Sequence, residues 1–261
     1  MCMDQSVVTL RHIEKTYANG TVALGNVDLD IRRGEFVSLL GPSGCGKSTV
    51  LRIVSGLMTP SAGTVSWSAG TSAAADGSPN VGYVFQDPTL MPWATVAKNV
   101  WLPFRLRGIS YESVRPVIEE ALDMVGLSAF ADSHPRELSG GMRMRVSIAR
   151  ALATKPKVLL MDEPFAALDE ITRQKLNDDL LRLWEANGWT VVFVTHSVFE
   201  SAYLSSRIVV MGARPGHILE TIEVPEPYPR NEDYRSSPGY AQVCKRASQV
   251  LKSAMSRTDH L

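Results

Sequence analysis

Residues 41–48 read Gly-Pro-Ser-Gly-Cys-Gly-Lys-Ser, with Thr49 directly behind, and fit the pattern G-x-x-x-x-G-K-[ST] throughout. The chemistry this spacing serves is polyphosphate binding. Gly41, Gly44 and Gly46 let successive backbone N–H groups of the loop, completed by Pro42, Ser43 and Cys45, point inward at an anion. Lys47 can reach β- and γ-phosphates, and the Ser48 hydroxyl can enter a Mg²⁺ shell. Asp162 and Glu163 supply a complementary pair: a carboxylate able to organise Mg²⁺ and, one residue on, a carboxylate able to activate a water. His196 could hydrogen-bond the γ-phosphate or hold that water. Ser139-Gly-Gly141 offers a second set of hydroxyl and backbone donors for an anion. Each feature has a bland alternative: a glycine-rich turn, an acidic strand end before Pro164, a structural histidine, an N-cap with flexible glycines. Their joint presence favours the phosphate reading.

The surrounding pattern supplies elements to carry these groups. Glu35–Leu40 is an apolar run that reads as a buried strand feeding the loop, and Val50–Val54 reads as the first turns of a helix behind it. Before them, Val7–Leu10 and Asn26–Ile31 alternate as antiparallel strands around Tyr17 and the turn-prone Ala18-Asn-Gly20. Thr64–Trp67 and Val81–Phe85 are short strands separated by a small-residue surface loop over 69–79, and Gln86 closes the second. Residues from about 87 to 155 change character. A proline-punctuated loop, Asp87–Trp93, precedes helical patterns at Val96–Leu106, Tyr111–Val125 and Met142–Ala153, which describe a mostly helical lobe inserted into an α/β core. Val158–Met161 and Thr190–Val194 are buried strands ending at Asp162-Glu163 and Thr195-His196, with an amphipathic helix, Thr172–Asn187, between them. Strand after helix after strand argues a mainly parallel sheet covered on both faces. Arg207–Met211 and His217–Ile222 read as edge strands, Pro225, Pro227 and Pro229 exclude regular structure, and Tyr240–Ser253 reads as a last helix before a polar tail.

Composition narrows the function classes. The 261 residues carry 27 Lys plus Arg against 27 Asp plus Glu, a formal net charge of zero that gives no support for nucleic-acid binding. No apolar run approaches the roughly 18–20 residues that cross a bilayer, and Met1–Gln5 lacks the basic start of a secretory signal. Cys2, Cys45 and Cys244 are odd in number and widely spaced, which suits a reducing interior rather than a disulfide framework or a zinc site. His12, His134, His217 and His260 have no metal-ligand spacing. These features predict a cytosolic chain.

The full constellation resembles an ABC-type ATPase: Tyr17, the phosphate loop 41–48, Gln86, Leu138-Ser-Gly-Gly-Met142, Val158–Glu163, Ala167-Leu-Asp169 and His196 stand in that family's order. The resemblance covers about residues 7–222 and implies a P-loop NTPase core of the ABC type, with a small antiparallel β region, an inserted helical lobe over about 87–155, and a short C-terminal extension over 223–261. It implies ATP and Mg²⁺ as ligands, with Tyr17 stacking on adenine; from chemistry alone a packed surface tyrosine is an equal alternative. Thr49 lies with the nucleotide-binding set, Ser48, Asp162 and Gln86 with the metal, and Glu163, His196 and Lys47 with hydrolysis. Two such cassettes pack head to tail, so that Leu138–Met142 of one would contact the γ-phosphate held by the other. Asp169 and Gln86 would couple nucleotide state to the partner site and to the lobe.

Met142 stands where the family usually has Gln, and Met142-Arg-Met-Arg145 resembles the version found in importers of nitrate, sulfonate and taurine type. Phe85–Val96, Arg214-Pro-Gly216 and Pro227–Arg230 resemble the same subfamily. Its partners would be a transmembrane permease, contacted through Leu90–Trp93, and an extracytoplasmic solute-binding protein, with the ATPase peripheral at the cytoplasmic face of the inner membrane. Leu90 and Trp93 folded into the lobe is the structural alternative for that loop. Importers of pyrimidine-type vitamin precursors have similar cassettes. An ABC protein of DNA repair or translation would need a long coiled-coil insertion or two cassettes in one chain. A P-loop kinase or GTPase leaves residues 138–142 idle, and a pure binding protein has no use for Glu163 and His196.

Overall fold

The computed structural model describes residues 6–68 and 80–258, with side chains to Ser253; the loop assigned to 69–79, residues 1–5 and the end of the tail lie outside it. The chain divides into two units, Met1–Asn80 with Glu185–Leu261, and Val81–Trp184.

In the first unit, β1 (Ser6–Thr16) and β2 (Val22–Arg32) form an antiparallel hairpin, and β4 (Ala62–Trp67) pairs with the other side of β1. The turn joining β1 and β2 is closed by Gly20 N–H donating to Tyr17 O at 2.9 Å, with Gly20 at φ 83. A second group of strands runs β7 (Thr190–Thr195), β3 (Phe36–Leu40), β8 (Arg207–Gly212), β9 (His217–Glu223). β3 lies parallel between β7 and β8, while β9 returns antiparallel to β8. Every residue of β3, β7 and β8 is buried, as expected of parallel strands covered on both faces. The register pairs Leu40 with Thr195, so Gly41 and His196 leave the strands at the same level. The edge position expected for Arg207–Met211 is therefore corrected: β8 is interior, and its unbroken Ile-Val-Val-Met run is the pattern of a strand buried on both faces. β9 occupies the edge.

The helices of this unit are α1 (Lys47–Val54), α6 (Val198–Leu204), α7 (Glu232–Arg235) and α8 (Pro238–Thr258). The sequence pattern did not reveal α6 or α7; at seven and four residues they are too short to show a period.

The second unit pairs β5 (Val81–Val84) with β6 (Val158–Asp162) in parallel and adds α2 (Val96–Leu106), α3 (Tyr111–Met124), α4 (Gly140–Leu152) and α5 (Glu170–Asn187). α2 packs on α3 and α4. Thr95 caps α2 by accepting from Lys98 N–H at 3.3 Å. α4 starts at Gly140, two residues before the expected Met142, because Ser139 is its N-cap. Its apolar side buries Met144, Val146, Ile148, Ala149 and Leu152, which makes methionine an apt residue at 144. Arg145 of α4 forms an ion pair with Asp179 of α5 and also donates to Val125 O at 3.1 Å.

Beneath β1–β2, Glu35 and Arg207 form a buried ion pair, 8% and 7% exposed at the side chain, with Nη2 to Oε1 at 2.6 Å and Nε to Oε2 at 3.0 Å. Arg207 Nη2 also donates to Asp30 O at 2.6 Å, and Arg32 N–H donates to Glu35. Removing one member strands a buried charge. Glu35→Ala should lower the unfolding free energy of the full-length chain by about 3–5 kcal/mol in a urea titration; a loss below about 1 kcal/mol would show that water reaches the arginine.

Candidate functional site

The phosphate loop is built by close approach of backbone. A Cβ placed on Gly41 would stand 2.7 Å from both Cys45 Sγ and Met211 O. Gly44 and Gly46 hold φ of 77 and 95, a region that costs residues with a Cβ. Gly46 is the N-cap of α1 and carries no side chain to cap it; the first turn of α1 contains no acidic residue. The helix end and the glycine turn together form a concave set of N–H dipoles suited to an anion. Ser43 and Gly44 form the exposed crest, Pro42 and Ser48 are half-exposed, and Cys45 is buried beneath. Lys47 is 4% exposed, and its ammonium donates to Gly41 O at 2.7 Å and Pro42 O at 3.0 Å. The cation is thus folded over the loop's own carbonyls.

Tyr17, on the β1–β2 turn, is half-buried, and its hydroxyl lies 3.2 Å from Thr49 Oγ1 on α1. This hydrogen bond brings the aromatic ring and the phosphate loop together. Lys15 Nζ lies 6.0 Å from the ring centroid. His196 is exposed at the end of β7, next to the buried Thr195. Ser197 N–H donates to Thr195 Oγ1 at 2.9 Å, and Thr195 Oγ1 donates to Glu200, so both neighbours of His196 are fixed.

A brace behind the loop was read in the sequence only as a subfamily resemblance. Arg214-Pro-Gly216 closes on β2: Gly216 N–H donates to Ala23 O at 3.0 Å, and Gly25 N–H donates to Gly216 O at 2.9 Å. A Cβ on Gly216 would lie 2.3 Å from Cys45 O and 2.7 Å from Ala23 O.

In the second unit, Val84 pairs with Met161, so Gln86, Asp162 and Glu163 emerge from the same end of β5 and β6. β5 ends at Val84, two residues short of Gln86, which is exposed. Tyr83 Oη donates to Asp162 Oδ2 at 3.2 Å, and Asp162 is 8% exposed. Glu163 is half-exposed with φ 45, a left-handed conformation uncommon for a glutamate. Such a conformation persists where the surroundings demand it, and it clusters at functional sites.

Leu138 is buried and Ser139 exposed. The Ser139 hydroxyl accepts Met142 N–H at 3.3 Å, which caps α4 and keeps the O–H as a donor. The glycines differ. A Cβ on Gly141 would meet Thr172 Cγ2 at 2.8 Å, so Gly141 serves the packing of α4 on α5, whereas one on Gly140 meets only Leu168 Cδ2 at 3.3 Å and Arg143 Nη2 at 3.9 Å. Met142 is half-exposed. Asp169 accepts Thr172 N–H at 3.0 Å at the start of α5, and that bond holds its carboxyl below the ordinary range.

The loop carrying Trp93 is anchored by two residues that sequence reasoning passed over. Asn99 is fully buried on α2; its amide donates to Met91 O, Ala94 O and Thr95 O and accepts Met91 N–H at 2.7 Å. Arg150 of α4 donates to Pro88 O at 2.9 Å and Thr89 O at 3.0 Å. Trp93 itself is 75% exposed and Leu90 half-buried. A polar asparagine among apolar helix positions was the one signal available for the first anchor.

Among the described residues no group of three or more His, Cys, Asp or Glu could hold a metal. In the first unit the hydroxyl of Ser48, and in the second the carboxylate of Asp162 and the amide of Gln86, are each hard oxygen donors of the kind that suits Mg²⁺.

Overpacking behind the loop should be felt at the ligand. Gly216→Ala should weaken nucleotide binding about tenfold in a fluorescent-nucleotide titration, without altering any residue that faces the ligand. Unchanged affinity would show that the turn does not brace the loop.

The profile of the family described as ABC transporter matches residues 24–166. The aliphatic sulfonates import ATP-binding protein SsuB 1 of Pseudomonas savastanoi pv. phaseolicola is 46% identical over 252 residues, covering 97% of this chain and 99% of its own. An uncharacterized ABC transporter ATP-binding protein of Methanocaldococcus jannaschii is 44% identical over 246 residues, covering 94% and 90%. Among solved structures, the dimeric ATP-binding cassette MJ0796, in a post-hydrolysis state bound to ADP and Pi, superposes with a TM-score of 0.72 at 37% identity over 84% of this chain and 99% of its own. With the α/β fold of mainly parallel strands, the small antiparallel sheet and the phosphate loop already in place, these matches establish that the chain belongs to the ABC transporter family as one of its ATP-hydrolysing cassettes.

Proposed function

We propose that the chain is the energy-coupling ATPase of a bacterial importer for aliphatic sulfonates or a closely related small solute. It works as a pair of cassettes at the cytoplasmic face of the inner membrane, beneath a separate permease that a solute-binding protein loads from outside. The domain reading belongs to this proposal: an ATPase domain over 7–222 with the helical lobe inserted, and an extension over 223–261. The observation that carries it is a pair of glycine-opened helix N-termini, α1 and α4, neither with an acidic residue in its first turn. One such end holds the phosphates of a nucleotide; a second within the same chain calls for another phosphate, that of the partner copy. The sulfonate assignment is supported by the likeness to the sulfonate-import relative over nearly both full lengths.

The mechanism follows from the residues. Backbone N–H groups of 41–48 hold the phosphates, and Lys47 exchanges the Gly41 and Pro42 carbonyls for β- and γ-phosphate oxygens. Tyr17, oriented through Thr49, stacks on the adenine. Ser48, Asp162 and Gln86 would hold Mg²⁺, which would supply positive charge to offset that of the phosphates. Glu163 takes a proton from the attacking water, and His196 hydrogen-bonds the γ-phosphate, so that ATP and water give ADP and phosphate. Ser139 and Gly140 of the partner copy donate to the same γ-phosphate, and Asp169 reports between the two sites. Loss of the γ-phosphate removes what joins the copies. Gln86 lies just before the loop that Arg150 ties to α4 and Asn99 ties to α2, and through this loop Trp93 carries the change to the permease.

The test uses the chain assembled with its permease and binding protein. ATP hydrolysis should rise on adding an alkanesulfonate and fall at least about 100-fold in Glu163→Gln, with KM for ATP changed less than about threefold. Near-wild-type turnover in that variant removes Glu163 from the role of base, and stimulation by other solutes alone removes the sulfonate assignment.

A further inference from the structure

The C-terminal extension finds a role in how α6 ends. A helix leaves its last four carbonyls without partners inside the helix, and at seven residues α6 has little stability of its own. Here its final carbonyls are met by side chains of the extension. Tyr234 Oη donates to Ala202 O at 3.2 Å, Arg230 Nη1 donates to Tyr203 O and Ser205 O, both at 2.9 Å, and Tyr228 Oη donates to Leu204 O at 2.7 Å. From α8, Tyr240 Oη reaches Phe199 O at 3.1 Å.

Arg230 is 6% exposed, and its guanidinium lies 4.1 Å from the Tyr228 ring centroid and 5.0 Å from that of Tyr234. A buried cation against a helix C-terminus meets the negative end of the helix dipole, and the two rings add cation–π attraction. Arg230 is held in turn, since Tyr203 Oη donates to Arg230 O at 3.2 Å and Arg230 Nη2 donates to Glu226 O at 2.7 Å. Burial raises the phenol pKa of both Tyr228 and Tyr234, so each stays a protonated donor.

The other end of α6 begins one residue after His196. Ser197 is its N-cap and accepts Glu200 N–H at 3.3 Å, while Thr195 donates to Glu200. The Ser205 hydroxyl at the C-cap bonds Ser38 of β3, the strand that feeds the phosphate loop. The α6 segment is thus a short strut, fixed at its far end by the extension and carrying His196 at its near end.

We infer that Tyr228, Arg230 and Tyr234 are positioning residues for hydrolysis: by completing the C-terminus of α6 they hold His196 at the level of the phosphate loop. This rests on the role given to His196 above. The extension is then part of the ATPase machinery, acting through α6 without touching nucleotide.

The test is a double-mutant cycle on the assembled transporter, read as kcat and KM for ATP, with thermal unfolding measured alongside. Arg230→Lys keeps the charge and loses the fork that spans several carbonyls. It should lower kcat about tenfold with KM for ATP changed less than about twofold, and in the His196→Ala background it should alter kcat less than about twofold. Tyr228→Phe, which removes one hydroxyl, should show the same dependence on His196 at about threefold, and it carries the cycle if Arg230→Lys does not fold. Equal losses in both backgrounds, or no loss in folded variants, would overturn the inference. If His196→Ala alone leaves turnover unchanged, the role of His196 falls and the inference with it, a result distinct from an additive cycle.

Discussion

Every backbone N–H and C=O taken out of water needs a partner, and helix ends are where partners run short. This chain answers that constraint differently at different ends. At α6 the carbonyls are met by its own tyrosines and arginine. At α4 a serine caps one N–H and turns its own proton outward. At α1 a glycine stands at the cap, with no side chain at all. The ends that are least covered by side chains are those whose chemistry suits a phosphate oxygen.

Close packing explains why the cradle can be so bare. Gly41, Gly46 and Gly216 each stand where a Cβ would fall within 2.7 Å of a neighbouring atom. The loop is compressed between β2, β8 and the turn over 214–216, so its shape is set before ligand arrives and little ordering is left to be done on binding. Lys47 rests on its own loop carbonyls, neutral acceptors that in the proposed mechanism give way to anionic phosphate oxygens.

Much of this was legible in the residues. The phosphate loop, the strand ends at Asp162 and His196, and the helix over 96–106 follow from local pattern, and the structure has them at the expected positions. What escaped depends on contacts far apart in sequence. β8 read as an edge because its place between β3 and β9 is a matter of topology rather than pattern. The α6 segment is shorter than two turns. Asn99, Arg150 and Arg230 look like ordinary polar residues until the carbonyls they serve are placed around them. Pro227–Arg230 was legible as a resemblance and opaque as a mechanism, since nothing local says that its arginine closes a helix more than twenty residues upstream.

The central claim is that α1 and α4 serve different nucleotides, each site being completed by a second copy. Mixing two variants tests it: Lys47→Ala, which disables the loop, and Gly140→Asp, which sets a carboxylate at the start of α4, where its Cβ meets the tip of the Leu168 side chain at 3.3 Å and that tip must give way slightly. Each variant alone should lack ATP hydrolysis. Mixed in equal amounts with the permease, they should recover up to about a quarter of wild-type activity, because half the pairs carry one intact loop facing one intact α4. No recovery from two folded, assembled variants would contradict the account.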